Sequence, residues 1–198
     1  MQYILGDIMN SKEILDYIED KDFKFNKKWF YHATNYNISI IKNILVNGIK
    51  CAYLRKESSS GGYNGKYYVS LGSVCDKNNE IYKNFNRFPK FIINGISPIK
   101  TNQINFGLMT ETILPFRHSF YEGEYHKFLK INSSKIIALE YSLSNMISGN
   151  IEYDIQQLKF LKELVMCIDD LNKDLPIYDL FSNKEINKEK VRYLTLDK

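Results

Sequence analysis

A chain of 198 residues, 44% apolar and 14% aromatic, can bury a substantial core in one domain of ordinary size, which excludes the intrinsically disordered class. Its 27 basic and 23 acidic residues leave a net charge of only +4, without the strong basic excess of many nucleic-acid readers. Cys51, Cys75 and Cys167 are an odd count with no Cys-x-x-Cys pair, which argues against a disulfide framework and a zinc site and for reduced, mostly buried thiols.

In chain order, Asn10 followed by Glu13 fits a capping box and predicts a helix with Ile14, Leu15 and Ile18 inward. Residues 28–32 predict a strand, because Trp29, Phe30 and Tyr31 suit a half-buried pleated surface. Asn37 then caps a helix whose apolar positions, Ile38, Ile41, Ile44 and Leu45, recur at helical spacing, and Gly48 stops it. Residues 58–65 are a polar Ser/Gly loop. Residues 66–71 predict the next strand, 80–85 a short helix, 91–96 an apolar strand and 104–108 a weaker one. Residues 125–131 and 135–141 predict two strands joined by the polar turn Asn132-Ser133-Ser134. Over 154–171, Leu158, Leu161, Leu164, Val165 and Ile168 share one face of an amphipathic helix. The tail from Pro176 is expected to be partly helical at best. This order predicts an α+β fold with short antiparallel strands and peripheral helices.

Three segments carry candidate chemistry. They are Tyr31-His32-Ala33-Thr34 at a strand end, Gly61 to Gly65 running into Tyr67-Tyr68-Val69-Ser70-Leu71, and Arg117 to His126 containing Glu122-Gly123-Glu124-Tyr125. Singly, each has an ordinary explanation: a surface or core histidine, an apolar strand, solvated carboxylates. Their order says more. A strand ending His-x-Thr leads into a helix ending Asn-Gly-Ile, a Gly-rich loop runs into Tyr-Tyr-Val-Ser, and a later Glu opens a strand. In this the sequence resembles the ADP-ribosyltransferase superfamily, in particular the His-Tyr-Glu branch shared by diphtheria-type toxins and poly(ADP-ribose) polymerases. His32 with Thr34 matches the first motif and Tyr68 the motif tyrosine. Tyr82 matches the position of a second stacking tyrosine, and Glu124-Tyr125 the segment in which Glu opens a late strand.

Two features depart from that pattern. Ala33 stands where the branch usually has Gly, so a methyl group narrows the expected nicotinamide pocket. Glu122-Gly-Glu124 and Ser70-Leu-Gly-Ser73 resemble the other branch, whose triad is Arg-Ser-Glu, but His32 occupies the place of that branch's first-motif arginine.

The resemblance implies a split antiparallel β-sheet core of the ADP-ribosyltransferase type with peripheral helices. It implies a single domain over 1–198, with a motif-bearing core at about 28–141 and the N-terminal helix and C-terminal helical region as extensions. It implies NAD+ as substrate, with His32, Ala33, Thr34, Tyr68, Ser70 and Tyr82 binding the donor and Glu124, His32, Tyr68 and Glu122 acting in catalysis. The residue types suit the reaction. The nicotinamide–ribose bond has a leaving group that is already cationic, so no general acid is required, and the transition state is oxocarbenium-like. A carboxylate that holds a ribose hydroxyl and faces the developing cation stabilises it, the role expected of Glu124. Glu122 lies on the same face if this segment is extended and can orient or deprotonate the acceptor. His32 and Thr34 can hydrogen-bond ribose hydroxyls, the Ala33 backbone can pair with the carboxamide, and Tyr68 and Tyr82 can sandwich the pyridinium ring.

Residues 58–65 have the wrong spacing and context for a dinucleotide fingerprint; they can drape over the donor, contact the acceptor or form a plain loop. His118, His126 and Glu122 do not complete a metal set, since no His-Glu-x-x-His occurs, so no metal is expected. His126 reads as a polar cleft-rim residue, and Arg117 as a phosphate contact or a surface arginine. The leading reading is transfer of ADP-ribose to a protein side chain. Modification of nucleic acid, NAD+ hydrolysis and a catalytically silent binding module are the alternatives. No apolar run reaches the ~20 residues of a membrane span, and residues 1–10 lack the basic region and long apolar core of a cleaved leader. The expectation is a cytoplasmic protein with no membrane partner, or a bacterial effector or toxin reaching a host cytosol without such a leader.

Overall fold

The computed structural model describes residues 3–4, 11–56, 69–74, 89–97, 99–100, 105–108, 112–115, 125–128, 130–141, 150–180 and 182–196. The helix expected at 80–85, the loop at 58–65 and the Asn10 end of the capping box lie outside them.

The longest helix, α4 (Ile151–Asp170), begins where Asn150 caps it. The Asn150 side-chain oxygen accepts from the Glu152 and Tyr153 N–H groups at 3.1 and 3.3 Å, which moves the start ahead of the expected residue 154. Ile155, Leu158, Leu161, Leu164, Val165 and Ile168 form its buried stripe, and each fully buried aliphatic side chain contributes about 1.5–3 kcal/mol. Two helices earlier in the chain share that core: α1 (Ser11–Ile18) through Ile14 and Ile18, and α2 (Ile38–Asn47) through Ile41, Ile44 and Leu45. Asn37 caps α2 by accepting from the Ile40 N–H at 3.1 Å. Gly48 ends it at φ 80°, and a Cβ there would collide with the Ile131 carbonyl, so both conformation and space require glycine. Short helices α3 (Ala52–Arg55) and α5 (Lys188–Arg192) complete the described α-helices, and Ser133–Lys135 forms a 3-10 turn.

The described strands are β1 (Tyr3–Ile4), β2 (Glu19–Asp22), β3 (Phe30–Ala33), β4 (Ile49–Lys50), β5 (Val69–Ser73), β6 (Lys90–Ile93), β7 (Ile99–Lys100), β8 (Asn105–Leu108), β9 (Thr112–Pro115), β10 (Tyr125–Phe128), β11 (Lys130–Ile131), β12 (Ile136–Tyr141), β13 (Ile177–Asp179), β14 (Lys184–Ile186) and β15 (Leu194–Thr195). Nine of them form one sheet in the order β2-β14-β13-β12-β6-β3-β5-β8-β7. Every neighbouring pair in it is antiparallel except β12–β13. The fold is α+β, but its sheet is mixed where an antiparallel one was expected. The cause is α4, whose length lets the chain cross back so that β13 lies parallel to β12.

Strand alternation sorts the two faces. One carries Leu71, Phe91, Ile93, Leu139, Tyr141 and Ile177 against the helices. The other carries Ile92, Ala138 and Tyr178 against Phe23, Phe25, Trp29 and Tyr31. Tyr178 stacks on Phe23, with ring centroids 4.4 Å apart and planes 15° apart.

Two expectations need correction. The strands flanking Asn132-Ser133-Ser134 exist, but β10 pairs with β9 and β11 with β4, while β12 pairs with β6 and β13. Ile136–Tyr141 is buried along almost its whole length, and such a strand needs a neighbour on each edge, more than one hairpin partner supplies. The tail, besides α5, adds β13 and β14 to the main sheet. Ile177–Asp179 is fully buried but only three residues long, too short to show a periodicity.

Candidate functional site

β3 lies near the middle of the sheet, between β5 and β6. Its aromatic run Trp29-Phe30-Tyr31 gives it strand character, and Asn37 stops the extension by starting α2 four residues after Ala33. β3 and β12 run in the same direction, and β5 and β6 run against them. The last residues of β3, β12 and β13 therefore meet the first residues of β5 and β6 along one edge. That edge carries Ala33, Tyr141, Asp179, Val69 and Lys90.

His32 and Ala33 are the last two residues of β3 and sit opposite Phe91 and Lys90 of β6. Thr34 follows, and its N–H donates to the Pro89 carbonyl at 3.3 Å. All three are half-buried. Phe30 packs on the helix-side core and Tyr31 on the opposite cluster, so alternation puts His32 on the helix side and Ala33 on the Tyr31 side. Ser70 lies in β5, two residues before Gly72, which pairs with Tyr31, and itself sits opposite Gly107 of β8. The structure thus brings His32, Ala33 and Ser70 onto two adjacent strands, with Thr34 directly after the first of them. Tyr68, Tyr82, Glu122 and Glu124 lie outside the described residues. β5 opens at the residue after Tyr68 and β10 at the residue after Glu124. β10 and β9 form a two-stranded sheet of their own. His126 is in β10, opposite Leu114, and His118 and Arg117 lie outside the described residues. No group of three metal-binding side chains stands together among the described residues, and no described helix is long and apolar enough to cross a membrane.

A charged cluster missed at the sequence level lies beneath this edge. The Lys90 Nζ donates to Glu140 Oε1 at 2.9 Å, and both side chains are 0% exposed. The Tyr178 hydroxyl donates to Glu140 Oε2 at 3.0 Å, and the ammonium stands 5.5 Å from the centroid of the Tyr31 ring. Burial pushes the Lys90 ammonium below the usual lysine range, and the Glu140 carboxylate opposes that shift by charge and hydrogen bond. The signal that was available is a lone acid at the end of the apolar run Ile136-Ile137-Ala138-Leu139 and a lysine directly before Phe91.

On the helix side of the edge, aromatic rings collect. Tyr36 meets Phe160 edge-on at 4.9 Å and Tyr141 at 6.0 Å. The Tyr141 hydroxyl donates to the Gln157 carbonyl at 3.2 Å. Burial raises both phenols, with Tyr153 adding a smaller repulsion, so they are neutral donors at neutral pH. Asp179 is fully buried, and its carboxylate accepts from the Ser182 N–H at 2.9 Å, fixing the turn after β13. Comparison of the chain with protein-family models, curated proteins and solved structures returns no match.

Proposed function

We propose that the protein transfers ADP-ribose from NAD+ to an acceptor, a protein side chain in chemical class, with release of nicotinamide. The observation that supports this reading is the juxtaposition at the sheet edge. The His32-Ala33-Thr34 end of β3 lies next to β5, whose first residue follows Tyr68 in the chain. A histidine and a threonine at the end of one strand, beside the strand that follows Tyr68 in the chain, suit a nicotinamide riboside. The imidazole and the Thr34 hydroxyl offer hydrogen bonds to ribose, and a tyrosine face attracts the pyridinium cation. Glu124, one residue before β10, supplies the carboxylate that faces the developing oxocarbenium ion. The finer fold assignment, a split-sheet ADP-ribosyltransferase core, belongs to the same proposal, as do the bacterial effector role and the cytosolic setting. The family resemblance of the motifs supports these, and the α+β sheet is compatible with them.

The test is incubation with labelled NAD+ and a cell lysate, with and without Glu124→Gln. Labelled protein bands that vanish in the variant are the expected result. Labelled nucleic acid, or free ADP-ribose alone, would move the activity to another acceptor. Absence of any NAD+ consumption would end the proposal.

A further inference from the structure

A row of paired residues crosses the sheet at Ala33. Ala33 sits opposite Lys90, Lys90 opposite Glu140, Glu140 opposite Tyr178, and Tyr178 opposite Glu185. Three of these side chains, Lys90, Glu140 and Tyr178, are fully buried and bonded to one another across β6, β12 and β13. Just before that row the β6–β12 ladder is irregular. Ile136 pairs with Ile93, but Ala138 pairs with Ile92, so the register slips by one residue between them. Had the first register continued, Glu140 would face Pro89, which has neither a cation nor an N–H to offer.

Continuing the first register would turn Leu139 and Tyr141 away from the helix-side core and bring Ala138 and Glu140 into it, so the apolar alternation opposes that register. It would also leave both ions buried without each other, which is strongly unfavourable. From this we infer that Lys90, Glu140 and Tyr178 are positioning residues that fix the register of β6 against β12, and through β6 the distance by which His32-Ala33-Thr34 projects at the sheet edge. One residue of slip moves a strand by about 3.3 Å, whereas a binding constellation tolerates only ~0.5 Å. The link to β3 is direct, since Ala33 pairs with Lys90 and the Thr34 N–H donates to the Pro89 carbonyl.

The inference about the backbone stands alone; its consequence for NAD+ rests on the function proposed above. The experiment uses the full chain and compares wild type with K90M/E140L, E140Q and Y178F. The double variant removes the ions while filling their volume, and E140Q keeps acceptor and donor atoms where Lys90 and Tyr178 meet them. Amide spectra and site-resolved hydrogen exchange read the register, and steady-state kinetics read KM for NAD+. The double variant is expected to melt cooperatively yet to show doubled β3 and β6 amide signals, with exchange at Thr34 faster by ~10-fold or more. Its KM for NAD+ is expected to rise at least ~10-fold, while E140Q, which removes the anion but keeps the hydrogen bonds, raises it by less. Y178F, which releases one of the bonds, shifts the same readouts in the same direction by less. A double variant with a single set of signals, unchanged Thr34 exchange and unchanged KM would overturn the inference. So would E140Q matching the double variant in every readout. If wild type neither binds nor consumes NAD+, the transferase proposal falls, while the amide readouts still decide the register.

Discussion

The ring of Tyr31 occupies the space that a side chain at Gly72 would need: a Cβ built there overlaps the ring carbons and the hydroxyl. The two residues face each other across β3 and β5, so glycine at 72 is what lets the Tyr31 ring lie over the neighbouring strand. Glycine in a strand interior normally weakens it, and alanine would ordinarily be the better residue by ~0.5–1 kcal/mol. Here the sign reverses. Gly72→Ala is expected to destabilise by about 1–3 kcal/mol, the cost of overpacking a filled site. Urea denaturation measures it, and the double variant Gly72→Ala/Tyr31→Ala should lose less than the sum of the single losses. A neutral or stabilising Gly72→Ala would show that the ring has room to leave.

The Lys90–Glu140 pair gives a second asymmetry. Lys90→Met leaves the Glu140 carboxylate buried without its cation, and a loss of roughly 3–5 kcal/mol is expected. Lys90→Met/Glu140→Leu removes both charges and is expected to regain most of that stability, because well-packed apolar groups replace a buried pair at little cost. Chemical denaturation of the two variants side by side checks this. Equal stability of the single and double variants would mean that the carboxylate finds another partner.

Helix α5 is tied to α4 by Arg192, which donates from Nε to Asp169 Oδ2 at 2.6 Å and from a terminal nitrogen to Oδ1 at 2.7 Å. The Arg192 hydrogen bonds hold the Asp169 carboxyl below its usual range, against a smaller opposing effect of burial. A depressed carboxyl pKa stabilises the fold above the unfolded-state value near 3.9 and ceases to do so as pH falls through the lowered folded value. Both side chains are substantially exposed, 41% and 34%, so screening keeps the pair to about 1 kcal/mol or less. Arg192→Gln should therefore lower Tm by about 2–4 °C at pH 7, and the gap should close in strong acid. Thermal melts at several pH values measure it; a gap that persists at the acid end would assign the effect to lost packing.

For the proposed transfer reaction, Glu124→Gln keeps the shape of the side chain and removes its charge. NAD+ turnover is expected to fall by at least ~100-fold, in the range for loss of one electrostatic group at a reacting centre, with the unfolding midpoint unchanged. His32→Ala should raise KM for NAD+ and lower turnover together. Near-normal turnover of Glu124→Gln would remove that carboxylate from the chemistry.

The parts of the fold carried by local signals were legible in the sequence. Asn37 and Gly48 bound α2 because a cap and a left-handed stop are local chemistry, and the α4 stripe shows because helical spacing persists over five turns. The end of β3 at His32 and Ala33 was legible for the same reason. What was not legible depends on which strand lies beside which. Lys90 looks like a surface lysine ahead of an apolar run until β6 is set between β3 and β12. Glu140 becomes its partner only through a pairing fifty residues away. The parallel placement of β13, a strand of only three residues, has no periodic signature at all.

The pairing of β2 with β14 joins Glu19–Asp22 to Lys184–Ile186, and the Asn187 N–H closes the same junction on the Ile18 carbonyl at 2.7 Å. During synthesis at about 5–20 residues per second, β2 emerges roughly ten to thirty seconds before its partner exists. Its sequence, Glu-Asp-Lys-Asp, is charged at every position and exposed along most of its length. An unpaired edge of that composition repels other nascent chains rather than recruiting them, so this margin of the sheet can wait for Lys184–Ile186 to be made without aggregating.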